Sequence, residues 1–335
     1  MDLEEVKIIT ITIKNKKKKK SKRGLEVVES DLTKNTEELI LENGLIEEYD
    51  LKKVMFLVEN NNENLKQLIK KRNYEEEQSK KELQKYNNFL NRIVLNKGKI
   101  NTLYIYSNEE IKLRKFTKTT SGQNIIKELR NFLLTDYNNY KDIDFKNCIT
   151  SIILYISKIL KIDTPTIKLY YEDCEQIINK YYKGDKEAIK NFINRTFLNS
   201  NEKKAKGTND FEKNILKEIK DIHNNLNPLF LRHIKNIEFL EVLKLCRNEA
   251  KKSEENEKRK FIKEKGKSIF CNLQGKILSN LYHHYENKAL VILTNYLYKT
   301  YNNLPHSLIF DGLIVKGLNY YEFLLFLLIF YFQIH

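Results

Sequence analysis

Apolar positions along this chain follow two periods. In "VKIITITIK", Ile9, Ile11 and Ile13 alternate with polar residues, the two-residue period of a strand. Residues 32–95 switch to helical spacing. Leu83, Tyr86, Leu90 and Ile93 recur among charged residues such as "EEEQSKKELQK", which predicts a packed helical hairpin. "NTLYIYS" (101–107) predicts a second strand, and residues 121–135 open on Ser121-Gly122 and turn helical through "NIIKELRNFLL". "DIDFKNCITSIILYISKIL" (142–160) predicts a strand running into an apolar helix. "DKEAIKNFINRTFLN" (185–199) predicts a helix, with Asp185 as N-cap and Glu187 adding negative charge to the first turn. "AKKSEENEKRKFIKEKGK" (250–267) reads as a solvated helix or a mobile loop. "NLQGKILSNLYHHYENKALVILTNYLYKTY" reads as one long amphipathic helix leading into "HSLIFDGLIV" (306–315). There, two apolar runs flank Asp311-Gly312, the pattern of a hairpin closed by a type I′ turn. The final "EFLLFLLIFYFQIH" is short for a membrane span of roughly 20 residues and fits a buried helix better, with a tail anchor as the lesser alternative.

Composition narrows the setting. With 335 residues the chain can bury a large core, and two lobes are expected. The net charge is +15 and the pI near 9.3, which suits a polyanionic partner. Heavy use of Lys, Asn, Ile and Tyr is also what an AT-rich genome would produce. The run "KNKKKKKSKRG" (14–24) reads as a solvated loop, with a nuclear-localisation signal or a phosphate-binding patch as the functional alternatives. Cys148, Cys174, Cys246 and Cys271 form no CxxC or zinc spacing, so reduced structural thiols in an intracellular compartment are expected. The start "MDLEEVK" has no apolar signal core, and secretion is not expected.

Candidate chemistry begins with Asp311. On its own, Asp311-Gly312 reads as a plain turn, but the continuously apolar flanks predict a hairpin buried at its base. Such a hairpin can present a carboxylate to a metal. Two-metal phosphoryl transfer needs a second acid from another element, to clamp ions about 4 Å apart. Asp144, where the 142–160 strand gives way to its helix, is the best candidate, with Asp142 as its rival; a helix cap is the bland reading of Asp144. Within 185–199, Lys186, Lys190 and Asn194 recur at i, i+4 and i+8, opposite an apolar stripe of Ile189, Phe192, Ile193 and Phe197. That face could meet a triphosphate, although an ordinary amphipathic helix has the same pattern.

The order of these parts resembles the palm and fingers of family A DNA polymerases. The closer resemblance is to the divergent family-A-like polymerases of giant viruses and related mobile elements. Their motif A reads like D-x-D-x-x-N-[AC]-H-P-x-I-L, and their motif C like L-x-F-D-G-L-x-V. Here the two read "DIDFKNCITSIIL" and "LIFDGLIV". "SGQNIIKELRNFLLTDYNNYKDID" is similar to the approach to motif A, and "FCNLQGKILSNLYHHYENKAL" to the helix before motif C, with Glu286 near its end. The resemblance covers roughly residues 100–316.

It implies an α+β chain, mostly helical with a small antiparallel palm sheet and polymerase-like palm and fingers, apparently truncated at the C-terminus. The implied parts are an N-terminal strand, basic loop and thumb-like helices (1–95), palm with motif A (96–160), fingers-like helices (161–267), and palm with motif C plus an apolar tail (268–335). Asp144 and Asp311 match the carboxylates that hold two Mg2+ ions. Lys190 matches the fingers lysine, Lys186 the basic residue a turn before it, and Asn147 the motif A amide. Gln274 matches the template-side glutamine, and Arg130 the arginine one helix before motif A, expected to grip nucleic-acid phosphates. Implied partners are a DNA primer-template and deoxynucleoside triphosphates. A helicase partner, no stable membrane association, and a nuclear or viral replication site are compatible with it. Two departures stand out: Ile149-Thr150 replace His-Pro in motif A, and Asn199-Ser200 replace the Tyr-Gly that closes the fingers helix. No acidic set in the first 100 residues reads as a proofreading exonuclease. The alternatives are a degenerate polymerase remnant or non-enzymatic nucleic-acid-binding protein, and a membrane-tethered coiled coil.

Overall fold

The computed structural model describes residues 36–317 apart from 60–62, 71, 73, 114, 135–139, 146, 200–206, 227, 266–272, 303 and 310–311. The expected strand at Ile9–Ile13, the basic run at 14–24 and the final apolar run lie outside the described residues, as do Asp311 and Cys271. Asp144 and Gln274 are described through their backbone. The described residues all fall in one compact unit, an α+β arrangement that is mostly helical with small antiparallel sheets.

Helix α1 (Thr36–Asn43) leads into strand β1 (Leu45–Glu48), followed by α2 (Leu51–Glu59), α3 (Glu63–Lys70) and α4 (Glu76–Leu95). The periodicity of 32–95 predicts helices alone, and β1 is the exception. Its four residues are pulled into pairing with β2 (Lys99–Thr102), Leu45 opposite Thr102 and Glu48 opposite Lys99. Helix α4 carries Glu76 and Glu77 in its first turn and Arg92 in its last, the placement the helix dipole favours. It stops where Lys97 and Gly98 take positive φ and the Gly98 N–H returns to the Ile93 carbonyl at 2.9 Å. A side chain at 98 would also meet the Tyr49 carbonyl, so glycine serves both the cap and the close approach. The predicted strand 101–107 breaks at Leu103: its second half, β3 (Tyr104–Tyr106), pairs with β4 (Lys115–Thr117) instead.

Next come α5 (Lys127–Leu133), β5 (Tyr140–Asp144) and α6 (Cys148–Leu160), the strand-to-helix passage expected for 142–160. A helical stretch follows: α7 (Pro165–Glu172), α8 (Cys174–Tyr182), α9 (Lys186–Asn199), α10 (Asp210–Asn225), α11 (Ile237–Lys265) and α12 (Leu273–Tyr301). Asp185 caps α9 as expected, accepting the Ala188 N–H at 3.0 Å. The charged stretch 250–265 continues α11 as helix. Helices α11 and α12 run antiparallel, pinned by Lys288 to Glu238 at one end and Lys276 to Ser253 (3.2 Å) at the other. The chain closes with β6 (Ser307–Ile309) and β7 (Gly312–Lys316).

Three main cores result. Helices α2 to α5 share one, built on Val54, Leu65, Phe89, Leu90 and Leu133. Helix α5 therefore packs with the preceding helices, although the sequence groups it with the Asp144 segment. Helices α6 to α12 share a second, including Ile153, Ile189, Phe197, Phe239 and Leu281. The third lies under the sheet, where Ile143, Leu308 and Leu313 meet Leu293 and Leu297. Helix α12 thus serves the helical core with its first half and the sheet with its second. Among the described residues, no helix is long and apolar enough to cross a membrane.

Candidate active site

The site is organised by a three-stranded antiparallel sheet in the order β5-β7-β6. Apolar Ile143 and Leu313 hold β5 and β7 over the core, and their register runs from Tyr140 opposite Lys316 to Asp144 opposite Gly312. On the other side of β7, Gly312 lies opposite Ile309. Gly312 is therefore a strand residue paired on both flanks. Gly312 thus lies within β7 rather than at the centre of a turn, and the expected turn residue Asp311 lies outside the described residues. Asp144 sits at the end of β5 beside Gly312, whose chain neighbour is Asp311.

The rival acid Asp142 is engaged elsewhere, in an ion pair with Lys127 at 3.4 Å. Asn147, at the start of α6, takes the left-handed conformation (φ 51), which Asn tolerates better than most residues. Its carbonyl accepts the Ser151 N–H and hydroxyl, while its buried Nδ2 has no hydrogen-bond partner among the described residues. Ile149 is half-buried and Thr150 buried within α6. Arg130 does not reach the surface. It is 6 % exposed and its Nη1 donates to the Gly122 carbonyl at 3.1 Å. Leu129 and Leu133 draw this face of α5 into the core, so an outward phosphate contact is not open to Arg130 in this arrangement.

On α9, Ile189, Ile193 and Phe197 are buried, while Lys186 and Lys190 are exposed and Asn194 is half-buried. The two lysines make no ion pair among the described residues. Helix α9 packs on α10 and α12. The register thus brings Asp144 to Gly312, whereas Lys186, Lys190 and Asn194 belong to a helix linked to the sheet through α12. Gln274 stands in the first turn of α12, beside buried Gly275. No group of three or more His, Cys, Asp or Glu able to hold a metal occurs among the described residues.

A polar node behind the hairpin is not among the sequence-based expectations. Glu47 is 0 % exposed, and its carboxylate accepts from the Tyr49 hydroxyl (2.6 Å), the Ser307 hydroxyl (2.6 Å), the Gly122 N–H (3.0 Å) and the Tyr104 hydroxyl (3.5 Å). Tyr104 in turn accepts the Leu308 N–H at 3.1 Å. Burial, and then the charge of Glu47, pushes both tyrosine hydroxyls well above their ordinary range. Next to them, Glu48 pairs with Lys316 at 2.6 Å and Lys99 at 2.8 Å, and those two hydrogen bonds hold its carboxyl down to about 2. The one signal available in the sequence was alternation: Leu45, Glu47 and Tyr49 share the buried face of β1.

Comparison with family models, with curated proteins and with solved structures gave no match.

Proposed function

We propose that this chain is a template-directed DNA polymerase, extending a primer on DNA by nucleotidyl transfer. The observation that carries the reading is the register Asp144–Gly312–Ile309, which joins the end of the motif A strand to the base of the motif C hairpin in one small antiparallel sheet. In the family that the two motifs resemble, the metal carboxylates come from these two elements. Two carboxylates are a donor set that suits Mg2+, a hard cation with oxygen ligands. Asp144 and Asp311 are the residues that would hold it, and when bound it would offset the charge of the transferring phosphate. Lys190 and Lys186, exposed on one face of α9, would bind the triphosphate tail. Asn147 would position groups at the sheet end with its Nδ2, which has no partner among the described residues. Arg130 supports the Gly122 turn from inside.

Primer extension with Mg2+ and deoxynucleoside triphosphates tests this directly. The wild type should extend, and Asp144→Ala and Asp311→Ala should each lose at least about 10²-fold in rate, the scale of losing one preorganised electrostatic contact. An inactive wild type, or full activity in Asp311→Ala, refutes the reading. One observation favours a second reading, a non-catalytic nucleic-acid-binding remnant: Ile149-Thr150 stand where the relatives carry His-Pro, with Thr150 buried. Salt-sensitive DNA binding with no nucleotide incorporation would select it.

A further inference from the structure

We infer that Glu47 is a positioning residue for strand β6, which leads toward Asp311, an inference that rests on the proposed polymerase reading. Four separate elements converge on this carboxylate: Tyr49 after β1, Tyr104 in β3, Gly122 in the short 3-10 turn, and Ser307 in β6. None of them is a cation, and Glu47 has no ion-pair partner among the described residues. A fully buried carboxylate held only by neutral donors is costly unless nearly every lone pair is used, and here four donors reach it.

The anion also sets the direction of the network. A carboxylate can only accept, so the Ser307 hydroxyl donates to it, as does that of Tyr49. The Tyr104 hydroxyl directs its proton toward the carboxylate or the Ser307 oxygen, 3.3 Å away, and its oxygen is then free to accept the Leu308 N–H. Strand β6 lies at the edge of its sheet, paired with β7 on one side. The network therefore fixes the side chain of Ser307 and the backbone of Leu308 within β6.

Packing closes the same point. A methyl group at Gly122 would come within 3.1 Å of the Tyr49 hydroxyl, 3.2 Å of the Ser307 hydroxyl and 3.3 Å of the Glu47 carboxylate. The node is close-packed at Gly122 and the Ser307 hydroxyl forms one wall of it, so a change at Glu47 is expected to shift strand β6. Such a shift of about 1 Å near reacting groups costs on the order of 10²-fold in rate.

The test is Glu47→Gln in the full chain, with primer extension resolved into kcat and KM, Mg2+ titration, and hydrogen exchange of peptides covering residues 304–313. The amide keeps the shape but turns an NH2 donor toward groups that donate. The expected result is a fall in kcat of about 10- to 100-fold with the nucleotide KM little changed. The apparent Mg2+ requirement should rise, and exchange should quicken in 304–313 but not in α10. Unchanged kcat and Mg2+ requirement in a folded variant, even one with a lower melting temperature, overturns the inference and leaves Glu47 a stability residue. Unchanged exchange in 304–313 overturns it whatever the activity. If Glu47→Gln does not fold, Ser307→Ala removes one donor and is read in the same way. An inactive wild type refutes the polymerase reading instead, and exchange alone then decides whether Glu47 holds the hairpin.

Discussion

Replacing His306 with Gln should flatten the acid side of the stability profile. The imidazole sits at the base of the hairpin, 6 % exposed, with its ring 4.8 Å from that of Tyr140 and 6.0 Å from that of Tyr49. Its Nδ1 accepts the Glu48 N–H at 3.4 Å, which leaves the proton on Nε2, and Nε2 has no partner among the described residues. Burial pushes the imidazole from 6.5 down to about 4, while the charges of Glu48 and Lys316 act in opposite directions. The unfolded chain therefore takes up this proton near pH 6.5 and the folded chain only near pH 4. The contribution of a neutral His306 is complete above the unfolded value and is lost as pH falls between the two. At about 1.4 kcal/mol per pH unit, the full effect is about 3 kcal/mol, of which about 2 kcal/mol is lost between about pH 7 and about pH 5. His223, also pushed down to about 4 by burial, and His284, lowered too, steepen the wild-type curve, so the comparison with the variant isolates one group. The chain has no Trp, so urea unfolding followed by far-UV circular dichroism is the suitable assay. Between about pH 7 and about pH 5 the variant should lose about 2 kcal/mol less than the wild type. Parallel curves would refute the argument, since they would mean that native His306 takes up its proton as easily as a solvated one.

The two faces of α9 should separate under mutation. Phe197→Ala, at a fully buried position, should cost about 3–5 kcal/mol of stability, read by thermal melting. Lys190→Ala should stay within about 0.5 kcal/mol in the same measurement. It should nevertheless lower kcat/KM for nucleotide incorporation by about 10²-fold. Gly122→Ala forces a methyl group against three oxygens of the Glu47 node and should cost about 1–3 kcal/mol in a melting experiment.

Long, strongly periodic segments were legible in the sequence: α4 with Tyr86, Leu90 and Ile93, α9 with its Asp185 cap, α12, and the passage from β5 to α6. In each, one face repeats often enough to outweigh local accidents. Short strands were not. β1 has four residues between two helices, and only its pairing with β2, more than fifty residues on, makes it a strand. The pairing of the two apolar runs was visible, but Gly312 belongs to the strand, because register depends on the partner strand β5 as well as on local Asp-Gly preference. Arg130 looked like a surface cation because a single sequence does not tell which side of a seven-residue helix faces inward. Glu47 was invisible for a related reason: its partners at 104, 122 and 307 lie 57, 75 and 260 residues away.

The order of strands in the sheet also has a consequence for synthesis on the ribosome. β5 pairs with β7, and about 170 residues of chain separate them. At roughly 5–20 residues per second, β5 emerges roughly 10 to 30 s before its partner exists. The intervening helices contact one another locally and can pack in that interval, while the Asp144 strand waits with both edges open. A nascent or prematurely ended chain can therefore bury much of its helical core and still lack the sheet on which its proposed chemistry would depend.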